Sequence, residues 1–344
     1  MSSIFIQIGS YHDLELPETI KDFLEKSSGK NYIHFGVHNC FYNNLQFNEN
    51  ELRKKLDSFG KKYKLSIAHS QFPNNIGVGI SRYIANQFYE NEDYYLQIDS
   101  HMMVIRNWDT VCIDYIEKAV KNGIQKPVIS FPTNSYSVDD SGFRIPHSEV
   151  SSKFFNDINI NVQKEILQEF DLLRTTYGLS SAGNELDRIF DQFFNISINN
   201  NNLSKLFEFI YVNGAFIFSH GHLSKIKPNK KILYLGDEVV HSCRLYTHGY
   251  TILRSQFKNI ALHLVRSKPG IVGGSWTKDR RRVPYEDFLL QKEGSVDKNL
   301  TNIWEYLFEE TSKEIRRLFI ARPKDDQSLG VERDIQDIID SIFD

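Results

Sequence analysis

Tyr94 to Gln97 reads as a buried strand, and beyond Ile98 the chain runs straight into a carboxylate, a hydroxyl and an imidazole, Asp99-Ser100-His101. In open α/β sheets ligands gather at the carboxyl ends of the strands, beside the point where strand order reverses, and this is such a position. Alternate residues at a strand end can point to the same side. Asp99 and His101 are therefore spaced to share one ion, with Ser100 facing away. Oxygen with imidazole suits Mn2+ or another borderline divalent ion better than a purely oxygen-ligated Mg2+ site. An ion held there would neutralise a diphosphate, and in a nucleotide-sugar enzyme it would also take up the charge that builds on the departing nucleoside diphosphate. An isolated Asp-x-His is most often a surface turn. The apolar strand before it, Trp108-Asp109 after it and Arg82 one helix upstream set this one apart.

Such residues need a frame to hold them. Residues 3–9 (SIFIQIG) have the composition of a buried parallel strand, and Pro17-Glu18-Thr19 opens a helical pattern that runs to Glu25. Apolar runs at Tyr32 to Val37 and Tyr63 to His69, separated by polar helical text from Asn48 to Lys62, complete a βαβαβ unit. Gly77 to Tyr89 predicts a helix, Trp108 to Val120 another, and Pro127 to Phe131 a strand. This alternation predicts an α/β fold, a Rossmann-like mixed, mostly parallel sheet with flanking helices. The pattern breaks at about residues 134–204, which read as a polar insertion or lid. Strand-like text returns at Phe207 to Phe218, Lys231 to Leu235 and Ile260 to Val265. Residues 1–267 are thus expected to form the catalytic domain with its insertion. Residues 268–344 would be a C-terminal loop and helical extension, with a basic turn at Lys278 to Arg282 and amphipathic text from Leu300 to Arg317.

Composition narrows the function classes. With 344 residues, 40% hydrophobic and 25% charged, the chain is long enough for one large core with additions and lies outside the range of disordered sequences. A net charge of -3 offers no general attraction to nucleic acid, so a nucleic-acid partner is not expected. Cys40, Cys112 and Cys243 lie far apart and read as reduced core thiols, and no apolar run reaches the length of a membrane span. The start of the chain lacks a basic leader and a signal-peptide core, and the expected location is cytoplasmic.

The run GVGISRYIANQFYENEDYYLQIDSHMMVIRNWD (77–109) resembles the signature of glycosyltransferase family 60, the polypeptide N-acetylglucosaminyltransferases that include enzymes acting on hydroxyproline. IFIQIGSYHDLELPETI (4–20) is similar to that family's opening block, YLGDEVVHSCRLYTHGYTIL (234–253) to its GEE block, and Ala261 to Arg266 to its late H-x-x-R. His12 stands where the family has Arg, and Asp237 replaces the first Glu of GEE. The resemblance implies a GT-A fold, a UDP-sugar donor, a divalent metal (Mn2+ or Mg2+) in a DxD-type motif, and transfer with retention at the anomeric carbon.

It also implies roles for particular residues. Asp99, His101 and His263 would hold the metal, with His263 favoured over His220 and His222 by the late motif. Arg82, on a helix opened by Gly77 and Gly79, would meet the donor diphosphate or the Asp99 region, and Ser100 lies within the motif itself. Ser10, Tyr11 and Asp13 follow the first strand, where base and ribose would rest, although Ser10 or Asp13 could equally cap the next helix. Asp237 and Glu238 could orient the acceptor or stabilise positive charge on the sugar, and an exposed acidic turn is the plainer reading. Trp276 resembles the aromatic of a mobile loop that covers the donor. The expected function is transfer of a sugar, N-acetylglucosamine first, from UDP to a hydroxyl of a protein or glycan acceptor. Transfer from UDP-galactose or UDP-N-acetylgalactosamine is the alternative within the same fold, and a catalytically silent nucleotide-sugar or glycan-binding module the alternative outside it.

Overall fold

The computed structural model describes residues 1–11, 13–41, 47–71, 74, 77–131, 133–139, 141–146, 212–232, 237–253, 260–264, 314, 317–318 and 328–334. Its central sheet begins with β1 (Ser3–Tyr11), β2 (Tyr32–Phe41) and β3 (Tyr63–Gln71), linked by helices α1 (Leu16–Lys26) and α2 (Glu49–Asp57). Helix α3 (Val78–Asn86) then returns the chain to β4 (Tyr94–Asp99) on the far side of β1. Beyond lie β5 (Met102–Val104), α4 (Trp108–Lys121), β6 (Pro127–Ser130), β7 (Asn134–Val138), β8 (Arg144–Pro146), β9 (Phe216–His220), α5 (Asp237–Thr247), β10 (Thr251–Leu253) and β11 (Ala261–Leu264).

Seven strands pair in the order β10-β6-β9-β4-β1-β2-β3, and β9 alone among them runs against the rest. The sheet is mixed and mostly parallel, as expected. Because β1 has β2 on one side and β4 on the other, strand order reverses between β1 and β4, and their carboxyl ends open the crevice where this architecture binds ligands. Registration brings Gly9 opposite Asp99.

Both faces of the sheet are covered, which is why β1 is apolar without alternation. Ile4, Ile6 and Ile8 join the larger core with Leu16, Ile20, Phe23 and Leu24, the buried stripe of α1. Phe5 faces the other way into a second core with Tyr95, Val128, Ile217 and Leu245. Trp108 is fully buried and donates its indole N–H to the Phe23 carbonyl at 2.9 Å, fixing α4 against α1. Asp109 accepts from the Ser28 amide, the Ser28 hydroxyl and the Asn31 side chain at 2.6–2.9 Å. The Trp-Asp pair therefore ties elements together at the far end of β4 from Asp99.

A second sheet, β5-β11-β7-β8, stands beside the crevice. Of the expected polar insertion, residues 134–138 and 144–146 form the antiparallel pair β7 and β8 in this sheet, while most of the remainder lies outside the described residues. Of Lys231 to Leu235, only residues 231–232 are described, and they are not strand. The C-terminal helical text and the basic turn fall almost wholly outside the description. Residues 328–334 pack on α5 and β10, where the Gly330 amide donates to Thr247 Oγ1 at 2.9 Å and Arg333 donates to the Tyr250 carbonyl at 2.8 Å.

Helix α3 approaches its neighbours through glycine. The Gly79 amide donates to the Ile232 carbonyl at 3.0 Å, and a Cβ at residue 79 would stand 1.9 Å from the Asn229 carbonyl oxygen. Gly79→Ala should therefore force the helix off this backbone and lower stability by about 1–3 kcal/mol. A urea melt with an unchanged midpoint would show that the contact yields freely.

Candidate active site

Asp99 ends β4, and the next residues turn back at once into β5. Side chains of α1 hold this turn in place. Thr19 Oγ1 donates to the Ser100 carbonyl at 2.9 Å and accepts from the Met102 amide at 2.9 Å, while Asp22 accepts from the Val104 amide at 2.8 Å. Strand β11 pairs antiparallel with β5 so that His263 lies opposite Met102, and the Leu264 amide donates to the His101 carbonyl at 3.2 Å. A histidine 162 residues away in sequence is thereby delivered beside His101.

The three expected metal ligands come together. His101 Nε2 lies 3.0 Å from His263 Nε2, and His263 Nε2 lies 3.3 Å from Asp99 Oδ2. Two donors bound at right angles to one ion with bonds near 2.1 Å are themselves about 3 Å apart, so these two separations fit neighbouring ligands of one divalent ion, and all three ligand atoms lie within 4.8 Å of one another. Two imidazoles and one carboxylate suit a borderline transition ion such as Mn2+. His101 is buried, while Asp99 and His263 are partly exposed, which leaves the outward side open to a ligand. Ser100 does not simply face away: its hydroxyl donates to Asp13 Oδ2 at 2.6 Å, the oxygen that also lies 2.6 Å from His101 Nδ1. Asp13 is buried behind the turn, and its other oxygen accepts the Glu15 amide at 3.0 Å.

Arg82 is buried and bridges two carboxylates. Nη2 donates to Asp99 Oδ1 at 2.9 Å and to the Gly214 carbonyl at 3.1 Å, and Nη1 pairs with Asp237 Oδ2. Gly9 makes this approach possible, since a Cβ there would meet Ser81 Oγ at 3.0 Å and Arg82 Cγ at 3.3 Å. Burial works against the guanidinium charge, but Asp237, Asp99 and Glu238 together outweigh it and hold Arg82 protonated. Burial would also raise the Asp99 carboxyl, yet the His263 hydrogen bond and the Arg82 charge hold it well below the usual carboxylate range. At Asp237 the balance differs: burial pushes the carboxyl up against the pull of Arg82, and the nearby Asp99 charge adds to the rise. Two carboxylates share one cation.

Asp237 and Glu238 begin α5 rather than an exposed turn, and Asp237 is buried. Glu238 Oε1 accepts the Gly214 amide at 2.8 Å, so Gly214 uses its carbonyl on Arg82 and its amide on Glu238. Gln97 also donates to the Gly214 carbonyl, at 3.1 Å, and Gln7 donates to the Arg82 carbonyl at 2.6 Å. Gly214, Gln7 and Gln97 were not singled out from the sequence. Asn213-Gly214 before an apolar run is a turn signal that marks a tight approach, and glutamines inside buried strand text are anomalies that ask for partners.

Ser10 lies beside Asn39 in register, its buried hydroxyl without a hydrogen-bond partner among the described residues. Tyr11 ends β1 half-buried. Trp276 lies outside the described residues. A second His-carboxylate group, His34, Glu90 and Glu92, sits at the amino ends of the strands, roughly 20 Å away along β4. There buried His34 lies against Glu92 and exposed Glu90 pairs with Lys64, so each of the three already has a protein partner.

A family model described as Glycosyltransferase (GlcNAc) matches residues 48–271, more than half of the chain. Among solved structures, S. aureus TarS is similar at 13% identity over 77% of this chain and 37% of that one, with a TM-score of 0.41. TarS 1-349 in complex with UDP is 12% identical over 76% of this chain and 60% of that one, with a TM-score of 0.40. GalNAc-T7 with UDP, GalNAc and Mn2+ is 12% identical over 91% of this chain and 55% of that one, with a TM-score of 0.41. The chain thus spans between 37% and 60% of the length of these structures. No curated protein matches its sequence.

Removing the shared cation should be costly. Arg82→Met leaves Asp99 and Asp237 close together with no counter-charge, and the expected loss is about 3–5 kcal/mol, as for other broken buried pairs. Arg82→Lys, which keeps the charge but loses the planar fork, should fall between the two. Equal urea midpoints for wild type and Arg82→Met would remove the bridge from the account of this site.

Proposed function

The chain belongs to the Glycosyltransferase (GlcNAc) family, and on that premise we propose that it transfers N-acetylglucosamine from UDP-N-acetylglucosamine to a hydroxyl, with a divalent ion and with retention at the anomeric carbon. Its mixed, mostly parallel sheet with flanking helices is a GT-A fold. The observation that carries the reading is the convergence of Asp99, His101 and His263 at the reversal of strand order. The four motifs in order support placement with glycosyltransferase family 60, whose acceptors include hydroxyproline. The acceptor is accordingly a protein or glycan hydroxyl, and its recognition is assigned to the segment 134–204. Cys40, Cys112 and Cys243 are all unpaired and buried, which fits the reducing cytoplasm assigned to the enzyme. No helix among the described residues is long and apolar enough to cross a membrane.

In this proposal Asp99, His101 and His263 would hold Mn2+ or Mg2+, which when bound neutralises the donor diphosphate and the charge growing on the UDP leaving group. Arg82 occupies Asp99 Oδ1, so Oδ2, the oxygen 3.3 Å from His263 Nε2, would be the one left for the ion. Ser10 and Tyr11, at the end of β1, line the place for the nucleoside. Trp276 is assigned to the loop that closes over the donor. Of the two acids that open α5, Asp237 keeps Arg82 in position, and Glu238 is assigned to the reacting sugar or the acceptor hydroxyl, where a carboxylate stabilises positive charge on the ring.

A panel of UDP-sugars offered without acceptor tests this reading. UDP-N-acetylglucosamine should be hydrolysed fastest, only with a divalent ion present, and Asp99→Ala should lower the rate on the order of 10²–10³-fold. Faster turnover of UDP-galactose or UDP-N-acetylgalactosamine would reassign the sugar, and preference for a GDP or CMP donor would overturn the donor class. UDP binding with no turnover in the presence of Mn2+ would instead make the chain a binding module. Glu238→Gln should retain Mn2+-dependent UDP binding and lose turnover, since its interaction develops mainly in the transition state. Normal turnover in that variant would relieve Glu238 of its role.

A further inference from the structure

Resting on the ion site proposed above, we propose that Asp13 is a positioning residue that determines which ring nitrogen His101 presents to the ion, and is not a nucleotide contact. Position after β1 alone suggests a residue that touches base or ribose, and the geometry points elsewhere. Asp13 is buried, with its side chain only 2% exposed. One oxygen, Oδ2, lies 2.6 Å from His101 Nδ1 and accepts the Ser100 hydroxyl at 2.6 Å, while Oδ1 accepts the Glu15 amide at 3.0 Å. These contacts point inward, behind the turn that carries Asp99 and His101.

The consequence for His101 is specific. Both Asp13 oxygens already act as acceptors, Oδ2 from the Ser100 hydroxyl and Oδ1 from the Glu15 amide, so the hydrogen between Asp13 and His101 is assigned to Nδ1. The lone pair needed for an ion is then on Nε2, and Nε2 is the atom that lies 3.0 Å from His263 Nε2. Ion-binding histidines commonly donate their second N–H to a carboxylate, which fixes tautomer and ring orientation and makes the ligating nitrogen more basic. Asp13 is placed to do all three. The Ser100 hydroxyl, 3.4 Å from His101 Nδ1 and bonded to the same oxygen, keeps the carboxylate turned toward the ring.

The test separates ion binding from nucleotide binding in the full chain. Mn2+ is titrated with UDP present and free Mn2+ is read by electron paramagnetic resonance; UDP binding is measured separately in EDTA. Asp13→Asn retains the size of the side chain but cannot supply two acceptor oxygens. It should weaken Mn2+ binding on the order of 10–100-fold and leave metal-free UDP affinity unchanged. Unchanged Mn2+ affinity with weakened metal-free UDP binding would overturn the proposal and return Asp13 to the nucleotide. His263→Ala is the control: if it binds Mn2+ as well as wild type, the ion site itself is wrong and the role of Asp13 falls with it. Unchanged Mn2+ binding in Asp13→Asn alongside a defective His263→Ala would overturn the positioning role alone. Should Asp13→Asn fail to fold, the wild type still decides. Nitrogen-15 spectra of the metal-free protein at about pH 8, above the ordinary imidazole range, should show the His101 hydrogen on Nδ1, and a lone pair there would overturn the assignment.

Discussion

One buried guanidinium organises this structure. Arg82 reaches from α3 across the carboxyl end of β1 and pairs with carboxylates from β4 and from α5, elements separated by 138 residues along the chain between Asp99 and Asp237. A carboxylate shut away from water would ordinarily take up a proton, and two close together would do so more readily. The cation keeps Asp99 charged and occupies one of its oxygens, so the other is turned toward His263. Gly9 and Gly214, which lack the side chains that would crowd the arginine, are as necessary to the pair as the charges themselves.

Around that centre, strength is delegated to groups that never meet a ligand. Thr19 and Asp22 on α1 clip the backbone of the turn from Asp99 to Val104, and the strand pair β5–β11 secures its far side. Trp108 and Asp109 anchor α4 to the start of β2 through the Ser28 to Asn31 loop. The arrangement places rigid elements behind each polar side chain in the crevice. Ligating atoms held by packed helices and strands lose little entropy when they engage an ion.

How much of this the residues announced depended on the physics of each signal. Apolar strands buried on both faces are legible because hydrophobic content needs no partner to be recognised, and β1, β2, β4 and β6 lie where the apolar runs placed them. Asp99 and His101 stood out because an acid and an imidazole close an apolar strand, whereas His263 was marked by the resemblance to the late H-x-x-R motif rather than by anything local to it. The bridge made by Arg82 was only half visible, since nothing local to residue 237 says that its carboxylate is buried. Asp237 and Glu238 were singled out by the resemblance alone, since an acidic pair after a glycine reads locally as an exposed turn, and the helix they open depends on packing beneath it. Gly214 was invisible, as its contribution lies entirely in backbone atoms. The β7–β8 pair was masked by polar composition, because strands of a small sheet can face water on one side.

The way His263 arrives carries a consequence for assembly. Strands β1 and β4 and both partners of the Arg82–Asp99 contact lie in the first hundred residues, but His263 lies 162 residues beyond His101 and enters through the β5–β11 ladder. Strands β6, β9 and β10 pair in the central sheet before β11 is reached along the chain, so the ladder that brings His263 to His101 is added to a sheet already largely complete. During synthesis, a chain that has not yet extended past residue 264 can complete the strands of the central sheet and still lack the β5–β11 ladder that sets His263 beside His101. In the proposed reading, a chain at that stage would present Asp99 and His101 without their third partner.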